Sequence, residues 1–146
     1  MAVHVINATV GTFQINVSPG LFHEYAVQYL HCRRSFTSRA AYSPVPYFLL
    51  CRAIELELKA KHLQSKSRAE VKKQYGHNLK KSYDELPTGA KLLVGSEYTV
   101  LERASEIYDL PHKGFEYVAV GDALTELKRF PDLSMLEQIA AKLICE

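Results

Sequence analysis

The chain has 146 residues, 47% of them hydrophobic, with nine tyrosines, six phenylalanines and no tryptophan. That length and composition exclude a disordered chain and suffice for one buried core without metal or disulfide support. The formal net charge of +2 is too near zero to imply a partner by itself.

Residues 2–17 read as extended, because Phe13, Ile15 and Val17 alternate with Gln14 and Asn16, the period of a half-buried strand. Ser18-Pro19 is a helix start: serine caps free amides, and proline suits the first helical position. Phe22, Tyr25, Tyr29, Cys32 and Phe36 then recur at helical spacing and predict an amphipathic helix over 19–37. Ser43-Pro44 repeats the start signal. The helix it opens runs to about Leu63 and is apolar almost all round, with Val45, Leu49, Leu56 and Leu63 on one face and Leu50, Cys51, Ile54 and Leu58 widening it. Such a helix belongs at the centre of a bundle. Its polar stripe is Arg52, Glu55, Lys59 and His62.

Residues 64–75 form a polar spacer with a candidate short helix from Arg68. Gly76 ends the spacer, and His77 or Asn78 starts a helix to about Leu86. Pro87-Thr88-Gly89 marks a turn. A further helix starts near Ser96, with Tyr98, Leu101, Ala104 and Tyr108 on its face, and ends at Leu110-Pro111. Residues 112–121 are glycine-punctuated and read as extended; the 115–120 piece and a second subunit are the candidate partners for 2–17. Asp122 is a candidate cap for a short helix to Phe130. Pro131-Asp132 opens the last helix, supported by Ser134-x-x-Glu137 at capping-box spacing. The expected fold is all-α: a single domain over 1–146, with an extended appendage over 1–17 and an antiparallel bundle of about five helices over 19–145.

Three cysteines at wide spacings, Cys32, Cys51 and Cys145, make neither a disulfide framework nor a zinc pattern. Cys32 and Cys51 read as buried thiols, which suits a reducing compartment. No basic-then-apolar leader opens the chain, and its densest apolar run stops at Arg52, so a cytoplasmic protein with no membrane span is expected. No glycine-rich phosphate loop, nucleophile elbow or histidine pair at metal spacing occurs, so neither metal nor cofactor is expected.

The segments Ala53-Ile54-Glu55-Leu56-x-Leu58-Lys59-Ala60 and Gly76-His77-Asn78-Leu79 together resemble the HEPN-like superfamily of small helical bundles. The resemblance implies a dimer and a role among metal-independent ribonucleases, toxins, abortive-infection proteins or partners of minimal nucleotidyltransferases. It therefore leaves two functions open. One is a nucleic-acid or nucleotide-binding domain, including an atypical ribonuclease in a defence or toxin–antitoxin setting. The other is a non-catalytic dimeric interaction domain that partners a protein such as a nucleotidyltransferase. Ribonuclease members carry an Arg followed after four to six positions by His; here eight residues separate Arg103 from His112, with Pro111 between.

Two roles are open to His77: a helix cap bonded toward the central helix, or an acid/base or phosphate contact. Arg52, Glu55 and Lys59 lie on successive turns and can touch. They make either an intrahelical ion-pair network or, with His77, a small polar cleft between two helices. His112, in a glycine-flanked loop, is the second candidate for acid/base work. Residues 59–81 hold eight cations and one acid, Glu70. Of these, Lys66, Arg68, Lys72, Lys73, Lys80 and Lys81 are candidate phosphate contacts, with Tyr75 and Tyr83 as candidate stacking partners for RNA bases. The alternative is a solvated basic face.

Overall fold

A computed structural model describes residues 18–109 and 113–146. The extended segment expected over 2–17 and the candidate His112 lie outside those residues. Among the described residues there are seven α-helices and no strand: α1 (Ser18–Ser35), α2 (Val45–His62), α3 (Arg68–Tyr75), α4 (Leu79–Asp84), α5 (Gly95–Tyr108), α6 (Val120–Leu124) and α7 (Leu133–Ile144), with a 3-10 turn at Thr88–Ala90. The all-α bundle is as expected. The helix number is higher because the short helices read at 68–75, near 79 and near 122 all form as separate elements, α3, α4 and α6, of eight, six and five residues.

The near-continuous apolar surface of α2 explains its place. It packs against α1, α4, α5 and α7, and Leu50, Cys51, Ala53, Ile54 and Leu58 are fully buried. It begins at Val45, one residue later than the Ser43-Pro44 signal implies: Pro44 stands at the cap position, and the Ser43 hydroxyl accepts the Val45 N–H at 3.2 Å. The seam of α1 is rotated from the expected one. Ala26 and Leu30 are its fully buried residues, while Tyr25 and Cys32 are exposed. The aromatic spacing pointed to one stripe, but the flat surface of α2 takes the small and branched residues beside it. Of the two thiols expected to be buried, only Cys51 is.

The short helices are set by caps. Ser67 and Glu70 form a reciprocal box at the start of α3: the Ser67 hydroxyl accepts the Glu70 N–H at 3.2 Å, and the Glu70 carboxylate accepts the Ser67 N–H at 2.7 Å. Gly76 then stops α3 at φ +52°, a conformation open to glycine at little cost. Asn78 restarts the chain as α4, its side-chain oxygen accepting the Lys81 N–H at 2.9 Å. Leu63, Val71 and Tyr75 make a small apolar cluster with Phe22 that seats α3 apart from the main core.

Three expectations in the last third are corrected. Residues 113–117 form turns, not an extended piece. They place Phe115 in the core, stacked on Tyr47 at 5.4 Å and edge-on to Phe130 at 4.9 Å, and that burial outweighs any pairing the segment would gain as a strand. Asp122 does not cap α6. It lies inside the helix and accepts both guanidinium arms of Arg129 at 2.8 Å. The cap of α7 is Asp132, which accepts the Met135 N–H at 2.7 Å; Ser134 and Glu137 lie two residues too far in, since Pro131 already fixes the entry.

Candidate functional site

Glu55 organises the polar side of α2. Its side chain is 3% exposed, and a buried carboxylate needs donors on both oxygens. Oε1 accepts from Lys59 Nζ at 2.6 Å, His77 Nδ1 at 3.0 Å and an Arg52 guanidinium nitrogen at 3.1 Å. Oε2 accepts from the Tyr108 hydroxyl on α5. Burial alone would raise the Glu55 pKa, but the hydrogen bond and charge of Lys59, with the Tyr108 bond and the charge of Arg52, outweigh it and hold the pKa below its ordinary value. Tyr108 moves the opposite way, pushed up by burial and by the Glu55 charge. At neutral pH the pair is therefore a carboxylate and a phenol.

An ionised carboxylate can only accept, so Nδ1 of His77 carries the proton they share. In the neutral imidazole the lone pair is then on Nε2, which has no hydrogen-bond partner among the described residues. The His77 side chain is half exposed and packs edge-on to the Tyr108 ring at 6.1 Å. The Gly76 stop and the Asn78 cap put it there, because together they turn the chain back across α2 between α3 and α4.

Above this cluster is a cleft of about 570 Å³. Arg52, Lys59, Arg68, Lys72 and His77 form its polar lining, and Phe22, Leu63, Ala69 and Val71 form an apolar wall. No carboxylate is among the lining residues; Glu55 lies beneath them. Arg68 and Lys72 have no ion-pair partner among the described residues, and the Arg68 guanidinium lies over the Phe22 ring, 5.9 Å from its centre. A concave site with converging cations, a positioned histidine and an apolar wall suits an anionic ligand with an apolar body.

The fold gathers Arg52, Glu55, Lys59 and His77, and it adds Arg68 and Lys72 from the basic segment. It separates the other candidates. Lys66 donates to Gln74 at 2.8 Å and to the Tyr75 hydroxyl at 2.6 Å. Lys80 donates to Asp84 at 2.8 Å, and neither it nor Lys73 or Lys81 lines the cleft. The expected stacking role of Tyr75 and Tyr83 is overturned, since both rings are buried. Tyr75 stacks on His62 at 4.2 Å, and the Tyr83 hydroxyl accepts the Leu93 N–H at 2.9 Å. A tyrosine on a half-apolar helix face buries its ring and spends its hydroxyl on the protein.

Two residues of the site escape sequence reasoning. Tyr108 reads as part of an apolar face, and Phe22 as part of a helix seam. The signal for Tyr108 is indirect: a carboxylate on an all-apolar helix demands more donors than its own helix supplies. Among the described residues, no three His, Cys, Asp or Glu side chains gather as metal ligands, and no helix is long and apolar enough to cross a membrane. No protein-family model matches the chain, and neither a curated protein nor a solved structure is significantly similar to it.

Proposed function

We propose that the chain is a HEPN-like domain that binds the phosphate of a nucleic acid or nucleotide in the α2–α3 cleft, with His77 able to act there as acid and base in metal-independent RNA cleavage. The observation that carries this proposal is the joining of four cations and a carboxylate-held histidine in one cleft. In the cleavage step, Nε2 of His77 takes the proton of a ribose 2′-hydroxyl, the 2′-oxygen attacks phosphorus, and the 5′-oxygen leaves with the proton returned by the imidazolium. Lys59, Arg52 and Lys72 stabilise the charge that builds on the phosphorane oxygens. Glu55 acts through His77 as a positioning residue, and Tyr108 acts through Glu55. A defence or toxin–antitoxin setting follows from the family resemblance alone.

The test is RNA binding and cleavage at low salt in the presence of a chelator, comparing the unaltered chain with His77→Ala, Lys72→Glu and Lys73→Glu. Cleavage lost in His77→Ala, with binding weakened in Lys72→Glu and unchanged in Lys73→Glu, supports the proposal. Binding without cleavage reduces it to a binding domain, and absence of both sinks it.

One observation favours a second function, a dimeric interaction domain that partners another protein such as a nucleotidyltransferase. Tyr117, Val120 and Leu124 are each more than 70% exposed along and just before α6, and exposed apolar side chains in a group mark contact surfaces. Salt separates the two functions: phosphate binding weakens steeply as salt rises, while an apolar interface does not.

A further inference from the structure

We infer that the cleft is a pocket for a single nucleotide unit, in which Phe22 and Arg68 select for the base while Arg52, Lys59, Lys72 and His77 hold the phosphate. This inference rests on the phosphate-binding function proposed above and narrows it from a nucleic-acid strand to one unit.

Three observations carry it. The first is size. A volume of about 570 Å³ lies within the range of about 300–1,000 Å³ of pockets that enclose one small ligand, whereas a strand-binding groove runs on past several nucleotides. The second is that three of the five cations of 59–81 that do not line the cleft, Lys61, Lys66 and Lys80, are held by the protein's own side chains. Lys61 is turned to Glu57 at 3.4 Å, Lys66 to Gln74 and Tyr75, and Lys80 to Asp84. Tyr75 and Tyr83, the aromatic rings of that segment, are buried, so no stacking platform continues the site there.

The third is the two-sided lining. Phe22, Leu63 and Val71 line the same space as the cations. A bare phosphate would leave that wall in water, and a purely apolar ligand would leave Arg68 and Lys72 without an anionic partner. The guanidinium of Arg68 over the Phe22 ring shows that this wall already receives a planar group. A nucleobase stacks on both a phenyl ring and a guanidinium. A phosphate joined to a planar base is the ligand that uses both sides.

The experiment is calorimetric titration of the full chain with three probes: AMP, ribose 5-phosphate, which carries the same phosphate without a base, and an adenylate octamer RNA. AMP is expected to bind about tenfold more tightly than ribose 5-phosphate, the scale of one stacked base, and the octamer within about threefold of AMP. Phe22→Leu should remove most of the margin between AMP and ribose 5-phosphate and leave ribose 5-phosphate binding unchanged. Phe22 also packs against Leu63, Val71 and Tyr75, so Arg68→Lys provides a second variant at an exposed position. It keeps the charge and removes the planar face, and it should narrow the same margin. Equal affinities for AMP and ribose 5-phosphate overturn the base-selecting wall. An octamer bound thirtyfold or more tightly than AMP overturns the single-unit pocket. Either result leaves phosphate binding standing. If none of the three probes binds, the inference and the proposed function fall together.

Discussion

Glu55 and Glu57 lie two residues apart on α2, and each is buried with a lysine one turn on and a histidine from another part of the chain. Glu55 has Lys59 at 2.6 Å and His77 at 3.0 Å; Glu57 has Lys61 at 3.4 Å and His23 at 2.7 Å. Two positions on a helix are about 200° apart, so the two sets face opposite ways. The Glu57 set lies against α1 and lines no part of the cleft. The Glu55 set has two further donors, Arg52 and Tyr108, and lies beneath the cleft. A carboxylate, a lysine and a histidine are thus in themselves a way of burying an acid in a helix interface. The open space and the unpaired cations beside Glu55 make one set a candidate site and leave the other as packing.

Truncating each acid is the hardest test of that contrast. Glu55→Ala strands Arg52, Lys59 and the Tyr108 hydroxyl, and should cost about 3–5 kcal/mol of stability. Glu57→Ala leaves His23, which is half exposed, and the Lys61 ammonium free to hydrate, and should cost about 1–3 kcal/mol. Urea unfolding measures both, and equal losses would erase the distinction. The histidines sharpen it next. If the cleft cleaves RNA as proposed, His77→Ala should slow that cleavage about 100-fold or more, and His23→Ala should leave the rate unchanged; a drop in both would point to general weakening of α2.

Acid separates the groups by a smaller effect. His62, at the end of α2, donates its Nε2 proton to the Ser82 carbonyl at 2.7 Å. Burial is the main cause that holds its pKa below the usual histidine value. The unfolded chain therefore takes up this proton first, so the stability from neutral His62 is complete above about pH 6.5 and declines as pH falls below it. Glu55, also lowered, keeps its contribution down to about pH 4.3 and loses it as pH falls further through its folded value. Urea midpoints from pH 8 to 2 should show a shallow loss near pH 6, absent in His62→Gln, before a steeper acid limb below about pH 4.3 that is reduced in Glu55→Gln. The smallest effect is electrostatic. Lys72→Glu should lower the salt dependence of RNA binding by at least one phosphate's worth, and Lys73→Glu, one residue away but outside the cleft, should leave it nearly unchanged.

Much of the site's local half is legible in the sequence. The Arg52–Glu55–Lys59 stripe follows from helical spacing, and the Gly-His-Asn-Leu turn places His77 near it. What the sequence does not show is which distant side chains close the site. Tyr108 reaches Glu55 across 53 positions, and a periodicity cannot carry a contact of that range. Phe22 and Tyr25 share one aromatic spacing, yet the packing of α1 on α2 sends Phe22 to the cleft and Tyr25 to solvent. The basic run 59–81 looks uniform as a string. Its charges differ only once the fold gives Lys59, Lys61 and Lys80 acidic partners and sets Arg68 and Lys72, which have none, in the cleft.

The three cysteines give the protein a built-in reporter of its own integrity. Cys32 and Cys145 stand at the surface, while Cys51 is sealed in α2, and burial with the nearby Glu55 charge pushes its thiol well above the usual range. A thiol must be both reached and ionised to react, so an alkylating reagent should modify the folded chain at Cys32 and Cys145 and spare Cys51. The appearance of a third alkyl group would then time the release of the central helix, with no dye or engineered label.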